Sequence, residues 1–217
     1  SGYLATMQIL GLLDRQRGLP APPLDGGLPG TDFLHRYAEA ARLAYADRAR
    51  YLADPAFVPA PAGNWASLLD EGYLAHRARL LNDERSLGTA LPGDPGAASG
   101  GLQALASQPE QPEYPNSHPS IVDGEGRAVS MRATIEADFG SRLMSDGGTG
   151  LAGGFLLNNE LTDFALAPRD AQGRLVANRV QPGKRPRSSM APTMVFDTQS
   201  PGRLLLLAGS SGGSAII

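Results

Sequence analysis

Four short clusters in the second half of the chain contain the side chains whose types and spacing could do chemistry. They are the tripeptide NSH at 116–118, the acidic stretch NNELTD at 158–163, the basic and hydroxyl-rich run GKRPRSSM at 183–190, and the glycine-rich turn GSSGG at 209–213. Each cluster by itself is compatible with a functional role and with an ordinary structural one.

The acidic stretch contains two carboxylates three residues apart, Glu160 and Asp163. Such a pair could hold an ammonium group through charge-assisted hydrogen bonds, or it could belong to a solvated turn. The basic run at 183–190 could likewise bind phosphate or carboxylate, or form a solvated loop. A nucleic-acid site is disfavoured, because the run lacks interleaved aromatic residues and the chain has a net charge of -3.

The glycine-rich turn at 209–213 formally matches a nucleophile elbow, Gly-x-Ser-x-Gly, with Ser211 as the nucleophile. That motif needs an Asp and a His later in the chain, and only residues 214–217 follow here. Alternatively, Gly212 and Gly213 could offer bare backbone N–H groups as an oxyanion hole, or the segment could be a plain turn after a strand.

Composition excludes several classes of site. The chain has 217 residues, of which 41% are hydrophobic, so it can form one sizeable core or two small ones. It contains no cysteine, which excludes disulfides, zinc–thiolate sites and a cysteine nucleophile. Its three histidines, His35, His76 and His118, lack metal-ligand spacing, so we expect neither a metal nor another cofactor.

The ends of the sequence suggest a piece of a longer protein. It begins at Ser1 rather than with an initiator Met or a signal peptide, and it stops within the apolar segment at 214–217. We therefore expect both ends to be cuts. No uninterrupted apolar run reaches the roughly 18 residues that a membrane helix needs, so we expect no membrane span in this piece.

Apolar periodicity predicts three helices in the first half. The first is built on residues 4–13 and is apolar nearly all round, which predicts burial on every side. The second runs from about Phe33 to Asp54, with Thr31 or Asp32 as its cap, and the third covers 71–81. The apolar stripe of the second helix consists of Leu34, Tyr37, Ala41, Ala44, Tyr45 and Tyr51.

The charged pairs Glu39/Arg42 and Asp47/Arg50 lie outside that stripe. Pairs three residues apart on a helix usually belong to a solvated face, so we expect these four side chains to face solvent.

Residues 87–116 are rich in Gly, Pro, Ala, Ser and Gln, which predicts a linker or mobile loop. Strands are predicted after it. Ser120–Val122 and Ala128–Ile135 flank the turn DGEG at 123–126, a strong hairpin signal. Further short strands are expected at Phe155–Leu157, Thr193–Phe196 and Leu204–Leu207. Helices followed by strands predict an α+β fold or a layered sandwich.

Taken together, these segments resemble the γ-glutamyltransferase (γ-glutamyltranspeptidase, or glutathione hydrolase) family of N-terminal-nucleophile hydrolases. The stretch GFLLNNELTDF at 154–164 is similar to the family's substrate-binding loop, PGKRPRSSMAPT at 182–193 to its Lys-Arg-Pro-x-Ser-Ser-Met segment, and GSSGGS at 209–214 to its Gly-Ser-Pro-Gly-Gly turn. In the helical half, AYADRARYLADP at 44–55 resembles the end of the family's large subunit.

The resemblance implies a four-layer αββα sandwich, incomplete at both ends, made as a precursor that cuts itself before a threonine. The free amine and hydroxyl of that threonine then form the catalytic centre. The γ-glutamyl group of glutathione or a related compound passes to the hydroxyl and then to water, an amino acid or a peptide. Three regions are implied: 1–86 as the helical end of the large subunit, 87–115 as a flexible segment before the processing site, and 116–217 as the β-rich start of the small subunit.

The same resemblance implies the roles of individual residues. Asn116 occupies the position of the nucleophilic threonine, and Thr134 matches a threonine whose hydroxyl supports the nucleophile. The positions that match binders of the substrate's α-amino group are Glu136, Glu160 and Asp163. Ser188 and Ser189 match hydroxyls that bind its α-carboxylate, and Gly212 and Gly213 match the oxyanion hole.

The chain departs from the family at three points. Asn116 has no hydroxyl or thiol and cannot attack, so self-cleavage would require a shift by one residue that makes Ser117 the nucleophile. Ser211 replaces the family's usual proline. The family's carboxylate-binding arginine comes from the early part of the large subunit, which this sequence lacks.

Two classes of function therefore remain open. The first is a γ-glutamyl transferase or hydrolase whose active form has Thr or Ser at position 116; the second is a non-catalytic homologue or uncleaved precursor that keeps the amino-acid pocket. Capsule poly-γ-glutamate transferases and β-lactam acylases share much of the motif set, and Glu136 resembles the capsule-type and related bacterial branches. The expected partners are a γ-glutamyl small molecule and the rest of the precursor, not nucleic acid. The resemblance implies a periplasmic or secreted location.

Overall fold

The chain combines helices with small antiparallel sheets, which confirms the α+β class. The computed structural model describes residues 2–16, 24–96, 105–109, 111 and 116–211. The described residues fall into two compact units, the first built from 3–109 and 165–187 and the second from 110–164 and 188–217. None of the described helices is long and apolar enough to cross a lipid bilayer.

The helices, in chain order, are α1 (Gly2–Asp14), α2 (Thr31–Tyr51) and α3 (Glu71–Ala78), with 3-10 turns at Pro61–Gly63, Trp65–Leu69 and Glu160–Asp163. The strands of the described residues form four antiparallel pairs: β1 (Leu24–Asp25) with β2 (Leu28–Pro29), β3 (Ser120–Val122) with β4 (Ala128–Ser130), β5 (Met144–Ser145) with β6 (Phe155–Leu156), and β7 (Thr193–Phe196) with β8 (Leu204–Ala208).

The core of the first unit forms where α1, α2 and α3 each bury one side. Its buried members are Ile9, Leu12, Leu13, Ala40, Leu43, Ala44, Leu74 and Ala78. Tyr3 and Leu10 of α1 are exposed, so the prediction of burial on every side of this helix is wrong. A helix that contacts its neighbours through one face leaves its opposite face uncovered, whatever its composition.

The start of α2 also differs from the prediction. Gly30 precedes the helix with extended backbone and no side-chain cap, and both Thr31 and Asp32 lie inside the first turn. The helix stops at Tyr51 because Leu52 returns to extended backbone. The predicted cap is therefore wrong, while the position and approximate length of the helix are confirmed.

The two acids of the pairs Glu39/Arg42 and Asp47/Arg50 are buried, so the prediction that they face solvent is wrong, whereas Arg42 is exposed as predicted. Glu39 is 2% exposed and Asp47 is 0% exposed. The carboxylate of Glu39 accepts a hydrogen bond from the backbone N–H of Leu87, so it binds a segment that follows α3.

The buried carboxylate of Asp47 forms hydrogen bonds with four different residues of the first unit. It accepts hydrogen bonds from Tyr73 Oη at 2.7 Å and from Gly93 N at 2.7 Å. Arg77 Nη2 lies 3.2 Å from the same carboxylate, and Gln8 Nε2 also donates to it. Burial raises the pKa of Asp47 above its ordinary value, against the opposing charge of Arg77. This one carboxylate joins α1, α2, α3 and the segment after them.

The second unit contains the predicted hairpin. Ile121 pairs with Val129 in the register of β3 and β4, and Asp123 N donates to Arg127 O at 3.0 Å across the turn. The Oδ1 atom of Asp123 accepts from Glu125 N at 2.9 Å, which stabilises the turn. The hairpin prediction is confirmed.

Several strands of the second unit leave large apolar side chains exposed. On the hairpin, Ile121 is 58% exposed and Val129 is 48% exposed. On β7 and β8, Phe196 is 50% exposed and Leu206 is 52% exposed. These pairs of strands therefore do not bury their own apolar surface within the described residues.

Part of the predicted flexible segment 87–115 is packed. Ala106 N donates to Leu175 O at 2.9 Å, and both Leu105 and Ala106 are buried. Residues 97–104, 110 and 112–115 lie outside the described residues. Mobility of the segment stays a prediction.

Replacing Asp47 with Ala should destabilise the 217-residue chain by about 3–5 kcal/mol, because Arg77 would keep a buried charge without its partner. Chemical denaturation followed by circular dichroism measures the change. Asp83→Ala is the matched control, since Asp83 pairs with Arg36 at 2.9 Å but is 60% exposed, and it should cost less than about 1 kcal/mol. Equal losses in the two variants would contradict the role assigned to Asp47.

Candidate functional site

The pairing of β3 with β4 continues to the position predicted for the nucleophile. Ser117 N donates to Ala133 O at 2.9 Å and Ala133 N donates to Ser117 O at 3.0 Å. One step further along this register, Asn116 lies opposite Thr134. Side chains alternate along paired segments, so Asn116 and Thr134 share one face and Ser117 lies on the other. Use of Ser117 as a substitute nucleophile would therefore require a change of face.

Arg132, which belongs to none of the four clusters identified in the sequence, lies on the same face as Asn116. Its guanidinium donates to Asn116 Oδ1 and, from Nη1, to the backbone oxygen of Ser189 at 3.4 Å. Desolvation lowers the pKa of Arg132 below its ordinary value. One sequence signal could have identified Arg132. It is a charged residue in a predicted strand, two residues from both Ser130 and Thr134, and so it is expected on the same face as Thr134.

The three acids predicted to bind an amino group converge in the structure. One carboxylate oxygen from each of Glu136, Glu160 and Asp163 lies within 4.8 Å of the other two. Glu160 and Asp163 stand at the ends of one 3-10 turn, which explains their proximity despite three residues of separation. Their ligand stays a prediction, but the sequence interpretation had placed these three residues at one site.

Glu136 reaches the cluster through an unusual backbone. Its φ is 72°, in the left-handed region that non-glycine residues rarely adopt, and its side chain is 6% exposed. Thr134 Oγ1 accepts from Glu136 N at 2.8 Å, and Asn159 Oδ1 accepts from Ala137 N at 2.9 Å. Thr162 Oγ1 donates to Glu136 Oε1 at 3.3 Å. These contacts hold the two acidic loops together and offset the strain.

The electrostatics of the cluster favour a cation. Burial, and then the neighbouring charge of Glu136, raise the pKa of Glu160, while a hydrogen bond with Asp163 opposes the shift. The Oε1 atom of Glu160 is buried and has no hydrogen-bond partner among the described residues. An ammonium group would supply donors to such oxygens, and a hard metal cation is the other ligand that three carboxylates suit.

The remaining predicted residues are placed as follows. Ser188 Oγ accepts from Met190 N at 3.2 Å, which shapes the serine segment locally. Thr134 accepts from the backbone of Glu136, so its predicted support of the nucleophile stays a prediction. Gly212 and Gly213, the predicted oxyanion hole, lie outside the described residues.

The turn that precedes those glycines packs against the hairpin. A Cβ atom built on Gly209 would lie 2.1 Å from His118 Cε1, so only glycine fits at this distance. Ser130 Oγ donates to Ala208 O at 3.4 Å in the same region. The structure thus brings the start of the glycine-rich turn beside His118, two residues from Asn116.

The basic run is not a solvated loop at Lys184 and Arg187, which are buried, so that interpretation is wrong for these two residues, while Arg185 is exposed. Anion binding by the run stays a prediction. Lys184 Nζ donates to Ala177 O at 2.6 Å, and burial lowers its pKa to about 8. Arg187 is buried, and Arg185 forms a 2.9 Å ion pair with Asp54. These cations stabilise the first unit, because each one has an internal partner.

Comparison with known proteins first defines the fold. The solved structure of cephalosporin acylase from Bacillus halodurans is similar to this chain with a TM-score of 0.57 and 23% identity, over 84% of this chain and 26% of that one. At this identity the likeness shows a shared fold and nothing about substrates.

Sequence comparison then defines the family. The glutathione hydrolase proenzyme of Bacillus subtilis (strain 168) is 40% identical over 184 residues, which are 83% of this chain and 28% of the relative. The glutathione hydrolase proenzyme of Pseudomonas aeruginosa is 35% identical over 221 residues, covering 100% of this chain and 34% of the relative. The family described as gamma-glutamyltranspeptidase matches residues 1–217.

The chain therefore belongs to the γ-glutamyltranspeptidase family, and the resemblance drawn from its motifs is confirmed. It spans 28% and 34% of the length of these two relatives.

Replacing Gly209 with Ala should displace the His118 ring, because the added methyl group would overlap it. The expected result is a loss of about 1–3 kcal/mol in unfolding free energy, with changed NMR shifts for His118 and its neighbour Ser117. Gly202→Ala serves as the control for the His118 shifts. Gly202 lies in the turn between β7 and β8, where an added Cβ atom would meet nothing within 4 Å, although the φ of 86° means that alanine there also adds backbone strain. Unchanged His118 resonances in Gly209→Ala would contradict the packing.

Proposed function

We propose that this chain is the central part of a precursor whose mature form acts on γ-glutamyl compounds such as glutathione. It transfers the γ-glutamyl group to water or to an acceptor amine. The observation that carries the proposal is the convergence of the carboxylates of Glu136, Glu160 and Asp163 within 4.8 Å. The relatives from Bacillus subtilis and Pseudomonas aeruginosa, which are named glutathione hydrolase proenzymes, support it.

In this proposal the acidic cluster binds the α-ammonium of the γ-glutamyl group. Three carboxylates in close contact repel one another, and a cation with several N–H donors removes that repulsion while satisfying buried oxygens such as Glu160 Oε1. The hydroxyls of Ser188 and Ser189 donate to the α-carboxylate, and the backbone N–H groups of Gly212 and Gly213 stabilise the oxyanion.

The acyl transfer itself requires a hydroxyl at position 116. With threonine there, the hydroxyl oxygen attacks the γ-carbonyl, its proton passes to the amine of the same residue, and the leaving amine takes that proton as the amide bond breaks. Water or an acceptor amine then releases the γ-glutamyl group. Asn116 cannot perform the first step, since its amide nitrogen has a delocalised lone pair and its oxygen is a poor nucleophile.

Asn116 is also the observation that favours a second candidate function, a non-catalytic or uncleaved homologue that retains the amino-acid pocket. Both candidates have the same binding site and the same Asn116, so they predict the same ligand. Only the first predicts self-cleavage and turnover once threonine is introduced at position 116.

We also propose that the rest of the precursor completes a four-layer αββα sandwich, with regions 1–86, 87–115 and 116–217 in the roles implied by the family. The exposed apolar side chains of the paired strands, such as Ile121 and Phe196, support this arrangement, because sheets normally bury one face against another layer.

The complete precursor should bind L-glutamate, and Asp163→Asn should weaken binding at least about tenfold, the scale of one charged hydrogen bond. Titration calorimetry measures this directly, because L-glutamate has no γ-amide bond to be cleaved. Glutarate, which lacks the amino group, should bind poorly, and Glu125→Gln, at an exposed acid of the hairpin turn, should bind like the parent. Equal binding of glutamate and glutarate would contradict the ammonium site; binding of Ca²⁺ or Mg²⁺ lost in Asp163→Asn would assign the cluster to a metal.

The chain as it stands should remain one piece of 22.7 kDa, and the precursor should not cut itself. Introducing Asn116→Thr into the precursor should yield two fragments, the smaller beginning at residue 116, together with γ-glutamyl hydrolysis. Intact mass spectrometry and N-terminal sequencing distinguish the outcomes. Asn116→Val, similar in shape to threonine but without a hydroxyl, should stay uncut. A fragment that begins at Ser117 in the unaltered protein would instead make Ser117 the nucleophile.

A further inference from the structure

Arg132 is the one ionisable residue among 128–134, the segment that lies opposite 116–122 in the register of the hairpin. The register that joins Ser117 to Ala133 places Arg132 opposite His118, diagonal to Asn116 and on the same face as Thr134. A guanidinium therefore lies on the face that contains the position of the nucleophile.

Two contacts of this guanidinium reach parts of the proposed site that are far apart in sequence. It donates to Asn116 Oδ1, and its Nη1 atom lies 3.4 Å from the backbone oxygen of Ser189. Arginine suits such a double contact because its donors are arranged in a rigid planar fork. The side chain at position 116 and the serine segment are thus held by one cation.

We propose that Arg132 is a positioning residue for position 116: it orients the side chain there relative to Ser189 and places a positive charge beside the backbone nitrogen that becomes the catalytic amine. This inference rests on the proposed function. It adds a residue that acts on the nucleophile from the neighbouring strand and does not itself contact the reacting atoms.

The chemical consequence concerns the amine of residue 116 after self-cleavage. That amine must be unprotonated to accept the proton of the nucleophile. A nearby positive charge disfavours the ammonium form and so lowers the pKa of the amine. The other ionisable groups at this end of the hairpin are His118, opposite Arg132, and Glu136, two residues beyond Thr134. Asp123, Glu125 and Arg127 lie at the turn, at the opposite end of the hairpin, where they pair with one another; the segments 188–193 and 209–211 contain no ionisable group.

The first test uses the precursor with Asn116→Thr and follows kcat/KM against pH. Arg132→Met should slow self-cleavage at least about tenfold and move the acidic limb of the profile up by about one pH unit, as loss of a neighbouring charge implies. Arg132→Lys keeps the charge and should leave the limb near its original position. Arg127→Met is the matched control, since Arg127 of the same hairpin is 74% exposed and pairs with Asp123 in the turn. If the acidic limb of the pH profile does not move in Arg132→Met, the proposal is overturned.

A second test needs no activity. In a double-mutant cycle on the 217-residue chain, Asn116→Ala and Arg132→Met should lower the unfolding temperature less together than the sum of their separate effects, because they remove the same contact. Arg127→Met with Asn116→Ala should be additive. Additivity for Arg132 overturns the inference. If Asn116→Thr neither cuts itself nor turns over substrate, the proposed function fails, and this cycle alone decides whether Arg132 positions residue 116.

Discussion

The antiparallel pairing of 117–122 with 128–133 is the constraint on which the candidate site depends. Its register decides that Asn116 lies opposite Thr134 and that Arg132 shares their face. A shift of one residue would turn every side chain of one strand to the other face and separate these groups. The turn at 123–126 maintains the register, because the side chain of Asp123 accepts from the backbone N–H groups of Glu125 and Arg127.

Beyond the hairpin, the chain continues from β4 to Glu136, whose left-handed backbone turns its carboxylate toward Glu160 and Asp163. A backbone in this region costs of order 1–3 kcal/mol and persists only where surrounding contacts determine it. Here the side chains of Thr134, Asn159 and Thr162 provide those contacts. Strain and charge repulsion are thus concentrated at the place where we propose that a cationic ligand binds.

Charged residues perform different tasks in the two units. In the first unit, Asp47, Lys184 and Arg187 are buried and hydrogen-bonded internally, and Asp47 and Arg187 join segments that are distant in sequence. In the second unit, the acids of the cluster lie close to like charges, with one oxygen left without a partner among the described residues. A buried charge that is hydrogen-bonded within the chain indicates a structural role. Several like charges held close together indicate instead a site that binds a ligand of opposite charge.

The sequence by itself determined the helices, the hairpin and its turn, and the family, because these depend on local periodicity, turn chemistry and motifs. It also named the three acids that converge. Only the tertiary structure decided that Asp47 and Glu39 are buried, that Lys184 is bound to a backbone carbonyl, and that Arg132 contacts Asn116. A local sequence pattern predicts that a polar residue faces solvent. Burial of that residue becomes favourable only when distant parts of the chain supply the hydrogen bonds that replace water, and a local pattern does not show those parts.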